Sequence, residues 1–426
     1  MKGEKGRLKQ LMKTVGPGLL FASAAIGTSH LVLSTRAGAH HGMVYLGIIL
    51  AALVLKYPFY EFGPRYASAT GYSLLKGYRE QGSWAVGLFL AVIFINMFAV
   101  TGAVGAVSAG LLATTFGVAS IPVPLLAGLV ILVTVILLLA GGYSGLDKFI
   151  KLISIVLLLT VFTAFIAVLI KGPIEPIQDF QTPALLEGAG LTLLISLLGW
   201  MPAGLEASTM NSIWVVEKSR VEQYKPSLKE SLFDFNLGYI FATVLALMFM
   251  TIGAFTVFGS GELLEGNATQ FSNKLLGVFT ANLGQWAYPV LAIAAFGTIY
   301  GTLITIMDAF PRSFVRGLRV LKFERSEKTA EQQQFLDRYY KVTLVIVGIG
   351  GFLLFYLSAK SMIKILEWAT VISFITAPII GYINLRAIQS NDVSAAYQPS
   401  KWMINLAYLG LFAMIGFAGY YLMNMP

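Results

Sequence analysis

Long apolar runs separated by short polar connections make up most of this chain, and their lengths predict its elements. A hydrocarbon core roughly 30 Å thick asks for about 20 apolar residues per helix. Runs of that order recur from the N-terminal region to the last residues. Hydropathy and helix breakers together predict about eleven spans, at 15–42, 43–63, 84–113, 122–140, 149–171, 189–216, 236–259, 284–308, 341–359, 361–387 and 402–424. A membrane barrel would instead alternate apolar and polar residues in short strands. The pattern therefore predicts an all-α polytopic membrane protein.

Two of these spans are interrupted, and they lie five apart. The first opens with "GPG" (Gly16 to Gly18) and is broken again at "GTS" (Gly27 to Ser29), while the sixth contains "GWMPAG" (Gly199 to Gly204). Proline removes a helical donor and glycine costs backbone entropy, so both places predict unwound backbone. At membrane depth such backbone is tolerated only inside protein or against a wet cavity. Corresponding breaks in two halves of a chain point to a transporter built from inverted repeats, with its binding site between the broken helices.

Composition narrows the class further. Of 426 residues, 57% are hydrophobic and only 12% are charged, and the mean hydropathy is +0.75, too little charge to cover a soluble protein of this size. The net charge of +9 does not indicate nucleic acid, because the basic residues alternate with the spans instead of forming one patch. The N-terminal tail, Arg65, Lys76, Arg79, Lys148 and the cluster Arg312 to Lys328 fall on alternate connections, whereas Glu175, Asp179, Glu187, Glu262 and Glu265 fall on the others. This bias predicts a cytoplasmic tail at 1–14, and an odd number of spans then leaves the C-terminus outside. The chain has no cysteine, so thiolate metal sites and disulfides are excluded. No Walker loop, HExxH or nucleophile elbow occurs, which argues against an enzyme and against a bound cofactor. The expected partners are the lipid bilayer and a small ion or solute.

The stretch "GPGLLFASAAIGTSHLVLSTRAGA" (Gly16 to Ala39) resembles the opening of the Nramp (natural resistance-associated macrophage protein) divalent-metal transporters, which share a GPGLL start and an AGA end over the same length. The span-six "MP", the "DFN" at Asp234 to Asn236 and "GTLITIMDAFPRSFVRG" at Gly301 to Gly317 extend the likeness over nearly the whole chain. The resemblance implies a LeuT-type 5+5 inverted repeat: a first repeat at 15–171, an inverted second repeat at 189–387 and an additional helix at 402–424. It also implies alternating access, in the plasma membrane of a bacterium, around a site at spans one and six.

Where the family carries D-P-G-N in span one, this chain has Gly27, Thr28, Ser29 and His30, and where it carries M-P-H in span six, this chain has Met201, Pro202 and Ala203. The aspartate that would offset the dehydration of a divalent ion is gone. In span three, Asn96 and Ala99 stand where the family places acidic residues associated with proton movement. The substrate-binding candidates are accordingly Gly27, Thr28, Ser29, His30, Met201, Ala203 and Glu206, with His30 and Met201 as possible metal ligands. Glu206, just past the span-six break, is the available replacement carboxylate. His30, Asn96 and Glu206 are the candidates for coupling or gating.

Beside these stand the structural readings. Arg36 anchors the outer half of span one, His40 and His41 belong to a solvated outer vestibule, and Ser208, Thr209, Asn211 and Trp200 either touch solute or pack the break. Asp147, Asp234, Glu61 and Asp308 cap helices or form ion pairs near span ends. Three functions stay open. Descent favours divalent metal transport. The lost ligands favour a small organic cation or polar solute with metal and proton coupling lost, and a non-transporting membrane sensor is third.

Overall fold

A computed structural model describes residues 16–424, apart from 142, 263, 265–267, 324–329 and 359–360. The elements are α-helices joined by short connections, and the described residues contain no strand. The first span is two helices, α1 (Pro17–Ala25) and α2 (Thr35–His41), joined through a π-helical turn at Ser29–Ser34. Next come α3 (Val44–Thr70), the short α4 (Leu74–Gln81), α5 (Ser83–Thr115), α6 (Val123–Leu139) and α7 (Tyr143–Lys171). The sixth span is again two helices, α8 (Gly188–Trp200) and α9 (Ala207–Val221). After it follow α10 (Leu228–Thr256), α11 (Ala268–Leu283), α12 (Tyr288–Lys322), α13 (Ala330–Leu357), α14 (Met362–Ile388) and α15 (Lys401–Met423).

The first and sixth predicted spans each fall on a pair of helices and the others on one helix each, and among the described residues seven helices are individually long and apolar enough to cross a membrane. The outward faces are apolar: Leu125 is 65% exposed, Ile170 82% and Phe412 69%. Water would penalise that surface, whereas hydrocarbon accepts it. In the interior, α5 packs on α12, α13 and α14. Its "TGAVGAVSAG" run lets backbones approach, since a side chain at Gly102 would meet the Gly351 carbonyl and one at Gly110 the Ala268 carbonyl.

The halves of the first span lie along α10, and glycines set the contact at both ends. A side chain at Gly18 would overlap the Asp234 carbonyl, and one at Gly238 the Gly18 carbonyl; toward the other end, Gly38 is pressed on Met250 and Gly253 on Thr35. Asp234 closes the first of these contacts, accepting from the backbone N–H groups of Gly16 at 3.0 Å and Gly18 at 2.6 Å. Those N–H groups belong to the start of α1 and have no partner within the helix. The "GPG" and "DFN" motifs are thus the two sides of one helix cap.

Several boundaries differ from the expected ones. "GPG" is a helix start with Pro17 in the first turn, where proline fits, and the interior break is at 26–28. Helix α3 runs through Pro58 and Pro64 to Thr70, beyond the expected end at 63. Two short helices, α4 and α11, occupy stretches expected as connections, and α12 carries Arg312, Arg316 and Arg319 as helical residues.

Candidate functional site

The break of the first span forms because α1 ends at Ala25 and the next turn is too tight for a regular helix. The Gly27 N–H donates to Ala25 O at 2.9 Å, and the His30 N–H donates to Gly27 O at 3.2 Å. Gly27 is required at its position because the Thr302 side chain of α12 fills the space of a Cβ. The Thr302 hydroxyl lies 3.0 Å from Ser23 O and 3.5 Å from Ile26 O, carbonyls freed where α1 ends. The π-helical turn that follows is the kind of local widening often found at functional positions.

The sixth span breaks at Met201–Glu206, where the Met201–Pro202 peptide is cis. Helix α8 ends on carbonyls with no helical partner, and one buried side chain from α3 meets them. The Lys56 Nζ donates to Leu198 O and Met201 O at 3.0 Å, and lies 3.3 Å from Gly199 O and 3.2 Å from Ala203 O. Tyr60, one turn further along α3, donates its hydroxyl to Ala203 O. On the far side, Asn384 of α14 donates to Ser208 Oγ at 2.7 Å, and the Trp200 indole donates to Ser373 Oγ at 3.0 Å.

The two breaks face one another. The Ser29 hydroxyl is 2.7 Å from Ala25 O and 3.4 Å from Pro202 O. Between them is a cavity of about 50 Å³ lined by Thr28, Ser29, Trp200, Ala203, Gly204 and Glu206 among others. This is room for an ion and very few waters. Glu206 is 4% exposed. Its carboxylate folds back over Gly204, leaving no space for a side chain there, and accepts from Asn96 Nδ2 at 3.2 Å. The Thr28 hydroxyl and the Asn96 side-chain carbonyl are buried without a protein partner, an arrangement that normally marks a place for water or ligand.

Of the expected site residues, Thr28, Ser29, Ala203 and Glu206 line this cavity, Gly27 adjoins it and Asn96 reaches it through Glu206. His30 and Met201 are fully buried and line no part of it. His30 turns toward α10, with Nε2 3.0 Å from Ala242 O and Nδ1 2.7 Å from Ser29 Oγ. The neutral tautomer with hydrogen on Nε2 satisfies both contacts: it donates to the carbonyl and accepts the hydroxyl. Among the described residues, no group of three or more His, Cys, Asp or Glu is placed to hold a metal ion.

The flanking polar residues act in packing. Asn211 donates to Pro17 O at 3.1 Å, Thr209 pairs with the Tyr78 hydroxyl at 2.8 Å, and Arg36 pairs with Glu367 at 3.5 Å. Glu61 pairs with Arg65, and Asp308 with Arg312, each one helical turn apart. His41 is 3% exposed and meets the Tyr45 ring edge-on, so it is packed and not solvated. Asp147 lies outside the described side chains. Lys56 was not anticipated. The signal for it was a lone lysine inside a predicted span, which is costly in a bilayer unless partnered.

A second, larger cavity of about 780 Å³ opens at the end of the bundle that holds α4 and the end of α12. Its walls carry six basic residues, Lys76, Arg79, Arg220, Arg312, Arg316 and Arg319, against three acids, Glu80, Glu217 and Asp337. Arg316 bonds Glu217 at 2.5 Å, joining α12 to α9.

Broken helices facing across a buried polar cavity, inside a bundle with apolar outer faces, define a polytopic membrane protein with a central site between two unwound segments. A family model for natural resistance-associated macrophage protein-like (Nramp) proteins matches residues 18–424, and the chain belongs to that family. It is 32% identical over 419 residues to the uncharacterized protein PM0681 of Pasteurella multocida, covering 97% of this chain and 93% of that one. It is 24% identical to the divalent metal cation transporter MntH of Lacticaseibacillus casei, over 72% of this chain and 69% of the relative. Among solved structures, a mutant of the Eremococcus coleocola manganese transporter superposes with a TM-score of 0.69 at 16% identity, over 96% of this chain and 86% of that one. MhsT in complex with L-phenylalanine superposes with a TM-score of 0.60 at 15% identity, over 96% and 98%. The LeuT-type fold expected from the sequence is the fold observed.

Proposed function

We propose that this protein is a secondary active transporter that moves a small cation by alternating access around the cavity between α1, the π-helical turn, α8 and α9. Its relatives and fold neighbours include transporters named for divalent metal or manganese, and a divalent metal ion is the first candidate cargo. The observation that carries the reading is the buried Glu206 carboxylate facing the same small cavity as the unpartnered Thr28 hydroxyl. A cation entering there meets the Glu206 carboxylate and a hydroxyl that has no protein partner. The N-terminal end of α9 lies in the same wall, so Glu206 also belongs to a helix start that favours negative charge.

In this proposal Gly27, Thr28, Ser29, Ala203 and Glu206 form the binding surface, and Asn96 with Glu206 couples span three to it. Ligation by His30 would break its bonds to Ser29 and Ala242, so His30 and Met201 serve the site through packing and position. The tail and the basic cavity face the cytoplasm of a bacterial cell and the C-terminus lies outside, with repeats at 15–171 and 189–387 and the helix at 402–424 beyond them.

A second reading has its own support. A single carboxylate, offset by the nearby Lys56 ammonium with which it interacts, is a weak trap for a doubly charged ion. A small organic cation or a polar solute makes a lesser demand. Uptake into sealed vesicles, using labelled Mn2+ and a panel of small organic cations with proton flux recorded, separates the readings. Saturable Mn2+ uptake abolished by Glu206→Gln supports the first. Organic-cation uptake without metal uptake supports the second, and no uptake of any solute removes the transport proposal.

A further inference from the structure

We infer that Lys56 is a tethered monovalent cation: its ammonium fills a carbonyl cage at the span-six break that would otherwise bind a free monovalent ion. Four main-chain carbonyls, those of Leu198, Gly199, Met201 and Ala203, lie 3.0–3.3 Å from Nζ. An ammonium has three protons to donate, so a fourth close carbonyl marks a site shaped around a positive charge and not around three hydrogen bonds. A lysine inside a membrane span ordinarily extends along its helix to the membrane surface. Lys56 does not. It reaches from α3 into another span, is 2% exposed and meets carbonyls at the negative end of the α8 dipole.

The surroundings suit a fixed cation. The Tyr60 ring presents its π system 5.6 Å from Nζ, and the Tyr60 hydroxyl holds Ala203 O, one wall of the cage. Glu206 lies near enough to supply a compensating negative charge. Unwound carbonyls together with half-helix C-termini are the group that coordinates coupling cations in broken-helix transporters, and carbonyl rings replace the hydration shell of a monovalent ion. With the ammonium built in, the sixth span keeps its unwound shape without recruiting Na+ or K+. The functional meaning of this device rests on the transporter reading; its chemistry does not.

The test is thermal unfolding of the purified full-length protein, followed by tryptophan fluorescence, in choline, sodium, potassium and methylammonium chlorides at equal ionic strength. The wild type is expected to unfold at the same temperature in all four. Lys56→Ala vacates the cage and is expected to unfold several degrees earlier in choline, with a saturable recovery in sodium, potassium or methylammonium. Lys56→Met, whose chain stops one atom short of Nζ, provides a second variant with the same expected recovery. A wild type stabilised saturably by Na+ or K+ over choline overturns the inference. So do folded variants indifferent to every cation, and variants that fold in none of the salts. Absence of uptake by the wild type would remove the transport reading while leaving ion recovery intact, whereas ion-indifferent variants do the reverse.

Discussion

Asn96 donates its side-chain N–H to Glu206 Oε1 at 3.2 Å, tying the third span to the carboxylate of the central cavity through a group that does not titrate. The free Asn96 carbonyl beside it is buried and unpartnered. Asn96→Asp would place a second carboxylate there, and two acids this close share a proton or a cation. We expect divalent-ion affinity to rise by about tenfold, in the range of one charge-assisted contact, and uptake to become pH-dependent. Calorimetry with Mn2+ at several pH values checks both.

Thr28 separates ligand binding from packing. Its hydroxyl is buried with no protein partner, so removing it relieves an unpaired polar group at little cost in shape. Thr28→Val is expected to leave the unfolding temperature unchanged or raised while weakening cargo binding severalfold. A loss of stability with unchanged binding would show that the hydroxyl serves the fold.

Asp234 has the opposite signature. Two N–H groups at the start of α1 depend on its carboxylate, and Asp234→Ala leaves both without their acceptor at a cost of about 2–4 kcal/mol. Asp234→Asn, which keeps an acceptor, should lose less. Denaturant or thermal unfolding in detergent compares the two.

Outside the spans, Lys76 bonds Asp392 at 3.1 Å and Glu80 at 3.2 Å, joining α4 to the connection before α15. The hydrogen bond from Glu80, with the Lys76 ammonium, holds the Asp392 carboxyl below the ordinary aspartate range. Partial burial and the neighbouring Asp392 raise Glu80. A depressed acid stabilises the fold above its ordinary range, and that contribution disappears as pH falls through the depressed value. The raised Glu80 acts with opposite sign, favouring the fold most at low pH and losing that contribution as pH rises from the ordinary glutamate value through the raised one. Asp392→Asn should therefore flatten the acid limb of the unfolding temperature against pH while leaving the limb above neutrality unchanged.

How much of this was legible before the structure depends on what each residue signals locally. The spans were legible because lipid demands apolar runs, and the break at Gly27 to Ser29 because small and hydroxylated residues replace leucine there. Glu206 was legible as a buried charge near proline. His30 was not, because a histidine at a break looks the same in sequence whether it faces the cavity or, as here, α10; only the Ala242 carbonyl decides. Lys56 lies inside the expected span 43–63, but its neighbours in "LKYPFYEF" give no sign of the carbonyls of another span that it meets. The continuation of α3 through Pro58 and Pro64 puts it deep inside. The reach of α4 and α11 was hidden for a simpler reason: short amphipathic helices are stabilised by the surface that they cover, not by their own sequence.

The glycine contacts between the first span and α10 carry a mechanical consequence. Gly18 with Gly238, and Gly38 with Gly253, press backbone on backbone at both ends of an interrupted span, so α10 works as a splint across the fracture. The halves of the first span are thereby held to α10 as one unit, although their own hydrogen bonding is discontinuous. At the opposite fracture the two halves press their backbones on different helices, Gly199 on Thr370 of α14 and Ser208 on Gly63 of α3, and side chains, Lys56 and Tyr60 of α3 with Ser373 and Asn384 of α14, bridge the break. Spin labels at the two ends of the first span should keep one separation with and without cargo, while labels flanking Met201–Glu206 should not. The two fractures are thus held differently, the first by backbone along a single helix and the second by side chains such as Lys56.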